Sequence, residues 1–153
     1  MSSAGLTGFF LLAAAFAGGV LVSAQGMVNG KLNQVLGSPI QAAFISFSGG
    51  WLILGVMMFL SGHGAPSMTR LSTAPWWALL GGVAGSYMVA STAFGVPRVG
   101  VTVWFAVLLA GQLIAALIFD HFGAFGQDVR PVTLEKIAGV VALFGGAWLI
   151  LKP

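Results

Sequence analysis

The chain has 153 residues, of which 58% are hydrophobic and only 6% are charged, with a formal net charge of +3. A soluble domain carries charge on about a quarter of its residues, so this composition excludes an ordinary globular protein and indicates a membrane protein with several spans. The sequence contains no cysteine, which excludes disulfides, and its few cations give no reason to expect a nucleic-acid partner.

Five apolar segments are long enough to cross a membrane, since a helix needs about 20 apolar residues to span the hydrocarbon core. The first is expected to run from Gly5 to Leu36 as one long, tilted or bent helix, and to be a retained span rather than a secretory signal peptide. The second begins after Ser38-Pro39, a typical helix start, and ends before a break at residues 61–66. The spans predicted within a single transmembrane domain, 1–153, are about 5–36, 39–60, 75–96, 98–119 and 133–151.

Small residues recur every four positions in three spans, a spacing that lets helix backbones approach closely in lipid. These stripes are Ala42, Ser46 and Gly50 in the second span, Gly82, Ser86 and Ala90 in the third, and Ala138, Ala142 and Gly146 in the fifth. Packing within one subunit accounts for them. For the fifth span, a contact between two subunits is the alternative.

The end of the first span carries a polar stripe, because Gln25, Asn29 and Asn33 recur every four residues. Polar side chains inside a bilayer are costly and mark solute pathways or contacts between helices. We expect Gln25 and Asn29 to contact a solute, with hydrogen bonding between helices as the alternative. For Asn33, a position in interfacial water near the helix end is the favoured interpretation.

Aromatic side chains and a further amide extend this candidate site. Trp51 and Tyr87 lie near the middle of the second and third spans, and Trp104 precedes Gln112 by eight residues in the fourth. Packing is the simpler explanation of each aromatic side chain alone. Together they predict an aromatic-walled pocket with a few amides, which suits a flat or moderately apolar organic solute better than a bare ion. The predicted substrate-binding residues are Gln25, Asn29, Trp51, Tyr87, Trp104 and Gln112.

Asp120 and His121 stand at the end of the fourth span. Their functional interpretation is coupling or gating by a proton or another cation. An interfacial cap, or a salt bridge to Arg130 or Arg98, is the simpler alternative. The sequence shows no pattern typical of an enzyme, a metal site or a bound cofactor, so none is expected.

The six cations divide evenly when the spans are threaded alternately. Arg70, Arg130 and Lys136 fall on one side, and Lys31, Arg98 and Lys152 fall on the other. Orientation is normally set by an excess of Lys and Arg on the cytoplasmic side, and here there is no excess. The chain is therefore expected to insert in both orientations and to pair with an inverted copy, which gives a ten-span inverted repeat.

Several motifs are similar, in order and spacing, to those of a known family. They are residues 25–32, Gly37-Ser38-Pro39, Trp76-Trp77, Gly111-Gln112 and Asp120-His121-Phe122-Gly123. Over nearly its whole length the chain resembles the YdcZ-like family of the drug/metabolite transporter superfamily. The resemblance implies a bacterial inner-membrane protein with an EamA-like half-repeat of five helices that pairs antiparallel. Related four-span exporters use a glutamate where this chain has Gln25, and a neutral amide cannot exchange a proton.

The sequence thus predicts an all-α membrane transporter subunit that moves a small organic solute across the lipid bilayer by alternating access. It is expected to act as an antiparallel homodimer or as a heterodimer with a related chain. Two alternatives belong to other classes of protein: a small dual-topology channel, and a membrane partner subunit that transports nothing itself.

Overall fold

The structure is a computed structural model that describes residues 3–62 and 64–152, so His63, in the predicted break, lies outside the described residues. The helices are α1 (Ser3–Leu36), α2 (Pro39–Leu60), α3 (Met68–Leu71), α4 (Gly81–Val99), α5 (Val101–Phe122) and α6 (Leu134–Leu151), with 3₁₀ turns at Trp76–Leu80 and Ala124–Gly126. Within this part of the chain, five helical segments are long and apolar enough to cross a membrane, and the first 3₁₀ turn continues into α4 as one of them. The predicted all-α class with five candidate spans is confirmed.

The first helix is continuous, as its unbroken apolar sequence predicts. Its 34 residues give a length of about 51 Å, which exceeds a hydrocarbon core of about 30 Å, so α1 must tilt or protrude. It ends where Gly37 adopts a positive φ of 71°, which favours glycine. Ser38 then caps α2 by accepting a hydrogen bond from the backbone N–H of Gln41 at 3.3 Å.

Helix α4 forms the third predicted span. It continues through Pro97 to Val99, beyond the end predicted for that span at residue 96. A proline inside a helix lacks the N–H that would bond the carbonyl four residues earlier, here that of Ala93. The side-chain Nδ2 of Asn33 donates to that carbonyl at 2.9 Å. The helix ends instead before Gly100, where φ is 89°. Proline is therefore accommodated here because another helix supplies the missing donor.

The chain divides between Arg98 and Val99 into two compact units. In the N-terminal unit α1, α2 and α4 contact one another. Gln25 Nε2 donates to Ser46 Oγ at 3.4 Å between α1 and α2, and Phe47 of α2 lies against Gly85 of α4. The buried residues of this unit are mostly small: Gly26, Asn29, Gly30, Asn33, Ala42, Ala43, Val89, Thr92, Ala93, Gly95 and Val96. The small stripe of α2 thus packs within the subunit, since Ala42 is buried and Ser46 bonds Gln25.

In the C-terminal unit, α5 and α6 pack side by side and are joined by the segment 123–133. Gly123 ends α5 with φ 59°, and a Cβ there would lie 2.7 Å from the carbonyl oxygen of Gln127. A groove of about 330 Å³ runs between the two helices, lined by Ala106, Leu109, Ala110, Leu113, Ala142, Leu143, Gly146, Ala147 and Ile150. No residue of α5 or α6 is buried in the described part of the chain.

Gly30 sets how closely α1 and α4 approach. A Cβ at this position would lie 3.1 Å from Cγ and 3.3 Å from Cδ of Pro97, and the proline ring is rigid. We expect Gly30→Val to lower the free energy of unfolding by about 1–3 kcal/mol, the usual cost of overpacking. Gly19→Val is the matched control in the same helix, because a Cβ at Gly19 meets no atom within 4 Å.

Both variants are measured by denaturant titration in mixed micelles, with tryptophan fluorescence as the signal. Equal destabilisation by Gly30→Val and Gly19→Val would contradict the close approach at Pro97.

Candidate functional site between α1 and α4

The polar stripe of α1 faces its two neighbouring helices, and its three amides have different surroundings. Gln25 is exposed and reaches Ser46 of α2. Asn33 is buried, with 9% of its surface exposed, and bonds Ala93 of α4. The interfacial-water interpretation of Asn33 is therefore wrong. Its amide is used between helices, because it bonds the carbonyl that Pro97 leaves without a backbone donor.

Asn29 lies one helical turn before Asn33 and is the most buried of the three, with only 3% of its surface exposed. It faces a cavity of about 10 Å³ whose lining residues are Val22, Gln25, Gly26, Asn29, Met88, Val89 and Thr92. Thr92 stands on the α4 wall and is itself 6% exposed. Two uncharged polar side chains from different helices thus meet in a space of about one water molecule.

The register of these contacts fixes the relative direction of α1 and α4. Residues 22–29 of α1 face residues 88–92 of α4 across the cavity, and Gly30 faces Val96 and Pro97 farther along. Apart from the Asn33 side chain, which reaches back to Ala93, later residues of α1 meet later residues of α4, and the two helices run parallel. This is the direction that the first and third of five alternating spans must share.

Trp51 and Tyr87 lie outside this cavity. Trp51 is 74% exposed and Tyr87 is 77% exposed. Trp51 lines an open apolar groove on α2 together with Phe44, Phe47, Ser48 and Leu52. Of the six predicted substrate-binding residues, the N-terminal unit brings together Gln25 and Asn29.

Trp104 and Gln112 belong to the C-terminal unit, where both lie on α5. Trp104 is partly buried and Gln112 is exposed. Their separation of eight residues turns them about 80° apart around the helix at 100° per residue. They form a pair on one helix, in a unit distinct from that of Gln25 and Asn29.

Asp120 and His121 shape the turn after α5. The carbonyl oxygen of Asp120 accepts the backbone N–H of Arg130 at 2.7 Å. Nδ1 of His121 accepts the backbone N–H of Val132 at 3.3 Å. These bonds hold the segment that leads to α6. Across residues 3–62 and 64–152, no three acidic or histidine side chains come together as metal ligands would.

Sequence reasoning missed Thr92 and the bond between Asn33 and Ala93. A signal for the bond was present, because Pro97 stands four residues after Ala93 and must leave that carbonyl without a donor. An amide on a neighbouring helix is a natural partner in lipid. Thr92 gave a weaker signal, since it sits in the Ala90–Ala93 run of small residues with no polar repeat of its own.

The chain was compared with known proteins. A family model described as "Putative inner membrane exporter, YdcZ" matches residues 10–149. The chain is also similar to inner membrane protein YdcZ of Escherichia coli (strain K12), with 31% identity over 148 residues that cover 96% of this chain and 95% of the relative. No solved structure matches it. The chain therefore belongs to the YdcZ family, and it is an integral inner membrane protein of transporter type.

A double-mutant cycle tests the bond between Asn33 and Ala93. We expect Asn33→Leu to lower the free energy of unfolding by about 1 kcal/mol, because it leaves the Ala93 carbonyl unpaired in an apolar surrounding. In a Pro97→Ala background the restored N–H of residue 97 bonds that carbonyl, so the same substitution should cost little. Equal costs of Asn33→Leu in both backgrounds, measured by denaturant titration in micelles, would contradict the assignment.

Proposed function

From its membership of the YdcZ family, we propose that this chain is one half of an inner-membrane carrier that moves a small organic solute by alternating access. Two copies in opposite orientation, or this chain and a related one, would form the carrier. The residues proposed to contact the solute remain Gln25, Asn29, Trp51, Tyr87, Trp104 and Gln112. Thr92 joins them because it lines the same cavity as Asn29.

The observation that carries this proposal is the burial of uncharged polar side chains at membrane depth. Thr92 lies seven residues before the end of α4 at Val99, which is about 10 Å inward at 1.5 Å per residue. Asn29 meets it there from α1. Buried polar groups at such a depth are expensive and mark pathways for solutes.

Two features support a second chain. In the described part of the protein, α5 and α6 contain no buried residue, and residues 5–21 of α1 contain none either. These apolar surfaces need lipid or another protein to cover them. Five spans without an internal repeat are half of the inverted plan that many carriers use.

The distribution of the cations supports a weak orientation preference. When the spans are threaded alternately, Lys31, Arg98 and Lys152 would fall on one side and Arg70, Arg130 and Lys136 on the other. Three cations on each side leave the orientation undetermined by the usual excess. Either orientation would then be accessible to a newly made chain.

Asp120 and His121 have the gating role in this proposal. The bond from Val132 to His121 Nδ1 and the bond from Arg130 to the Asp120 carbonyl tie the segment before α6 to the end of α5. Gln25 does not couple transport to protons in this proposal, because a carboxamide neither gains nor loses a proton near neutral pH.

Topology tests the inverted pairing. We expect a reporter fused to the C-terminus to give activity on both faces of the inner membrane, because the cations are balanced. Adding two lysines to the loop that carries Arg70 should lock one orientation, and adding two near Arg98 should lock the other. A wild-type signal on one face only would exclude the antiparallel homodimer and leave a related chain as the partner.

Binding and flux test the carrier itself. Compounds that raise the melting temperature of the purified protein are its candidate ligands. In liposomes their flux should saturate with concentration, and other ligands should inhibit it competitively. Gln25→Ala and Gln112→Ala should each weaken binding at unchanged stability of the protein alone. Unchanged binding in both variants would exclude the proposed pocket, and flux that does not saturate would favour a channel.

A further inference from the structure

The cavity between α1 and α4 contains a polar group that the fold does not use. We propose that Asn29 provides a polar subsite, lined on the opposite wall by Thr92, for one uncharged hydrogen-bonding group of the solute such as a hydroxyl. This inference rests on the proposed carrier function. It adds to that function the chemical class of the group recognised and the residue, Asn29, that recognises it.

The first argument is the unmet hydrogen-bonding capacity of Asn29. Its amide has two N–H donors and an oxygen with two lone pairs. No side-chain hydrogen bond of Asn29 is present within residues 3–62 and 64–152. Asn33, one turn later, is bonded to Ala93. No side-chain nitrogen or oxygen of the described residues is both enclosed and without a partner, so the Asn29 amide must reach the open space of the cavity. A water molecule or a ligand group can bond it there.

The second argument is the size of the cavity. A volume of about 10 Å³ accommodates one water-sized group and no more. The subsite therefore recognises one functional group and does not enclose a whole solute. Gln25 lines the same cavity and is exposed. The remainder of the solute would lie on this open side.

The third argument is the absence of charge in the cavity wall, whose seven lining residues carry no ionisable side chain. Lys31 follows Asn29 by two residues, which turns it about 200° around α1, and it is exposed. Arg98 is also exposed and is occupied with its own helix, where it donates to the carbonyl of Phe94 and covers that ring. A buried charged group would lack a counter-charge, which strongly favours a neutral ligand group.

The absence of cysteine in the native chain makes a direct test simple, since one introduced thiol is the only one present. Asn29→Cys and Thr92→Cys place a thiol in the subsite. Val96→Cys is the matched control, because Val96 is similarly buried, at 6% exposure, and does not line the cavity. Gel filtration and melting temperature check the fold of each variant in lipid nanodiscs.

The probes are three methanethiosulfonates that differ in charge: the 2-hydroxyethyl, the 2-(trimethylammonium)ethyl and the 2-sulfonatoethyl reagents. We expect the hydroxyethyl reagent to modify Asn29→Cys and Thr92→Cys at least about tenfold faster than Val96→Cys, which reacts only when the helices open locally. At Asn29→Cys each of the two charged reagents should react about tenfold more slowly than the neutral one. Rates are normalised to those with a free thiol.

Two results would overturn the inference. One is modification of Asn29→Cys and Thr92→Cys no faster than Val96→Cys, which would make the cavity ordinary packing. The other is a charged reagent as fast as the neutral one. Reactivity is measured without any transported solute, so the two proposals can fail separately. Slow modification together with saturable flux would contradict the subsite and leave the carrier proposal standing. Rapid, charge-selective modification without flux would support the subsite and contradict the carrier proposal.

Discussion

The packing of the N-terminal unit depends on a carbonyl oxygen that its own helix cannot satisfy. Pro97 stands where the backbone donor for Ala93 would be. In lipid no water is present to bond that oxygen, so leaving it unpaired is unfavourable. Asn33 provides the donor from α1. One side chain thereby allows a proline inside α4 and fixes the register of α1 on it.

This register determines what the neighbouring residues do. Gly30 lies against the ring of Pro97, where any larger side chain would push the helices apart. One turn before Asn33, the same register brings Asn29 opposite Thr92. Two asparagines four residues apart therefore have different roles. Asn33 is bound within the fold, and in our proposal Asn29 remains available to the solute.

The sequence predicted the elements of this fold better than its contacts. Hydropathy and length were enough for the five helices, including an unbroken α1 to Leu36, because lipid imposes those features on each segment separately. They were not enough for the end of α4, since Pro97 is accommodated only through Asn33 on another helix. The exposure of side chains could not be predicted either. Trp51 and Tyr87 are mid-span residues, and their surroundings depend on how the helices are rotated relative to one another.

The side-chain amide of Asn33 is bonded within the fold, whereas that of Asn29 is not. This difference can be tested directly because Asn29 and Asn33 are the only asparagines of the chain. Protein labelled with [¹⁵N]asparagine should give one pair of side-chain NH₂ signals for each of the two asparagines in lipid, assigned with Asn29→Ala. After transfer to D₂O, we predict slow exchange for the Asn33 amide, which is bonded to Ala93, and clearly faster exchange for the Asn29 amide at the cavity. Equal protection of the two amides, or faster exchange at Asn33, would contradict the account.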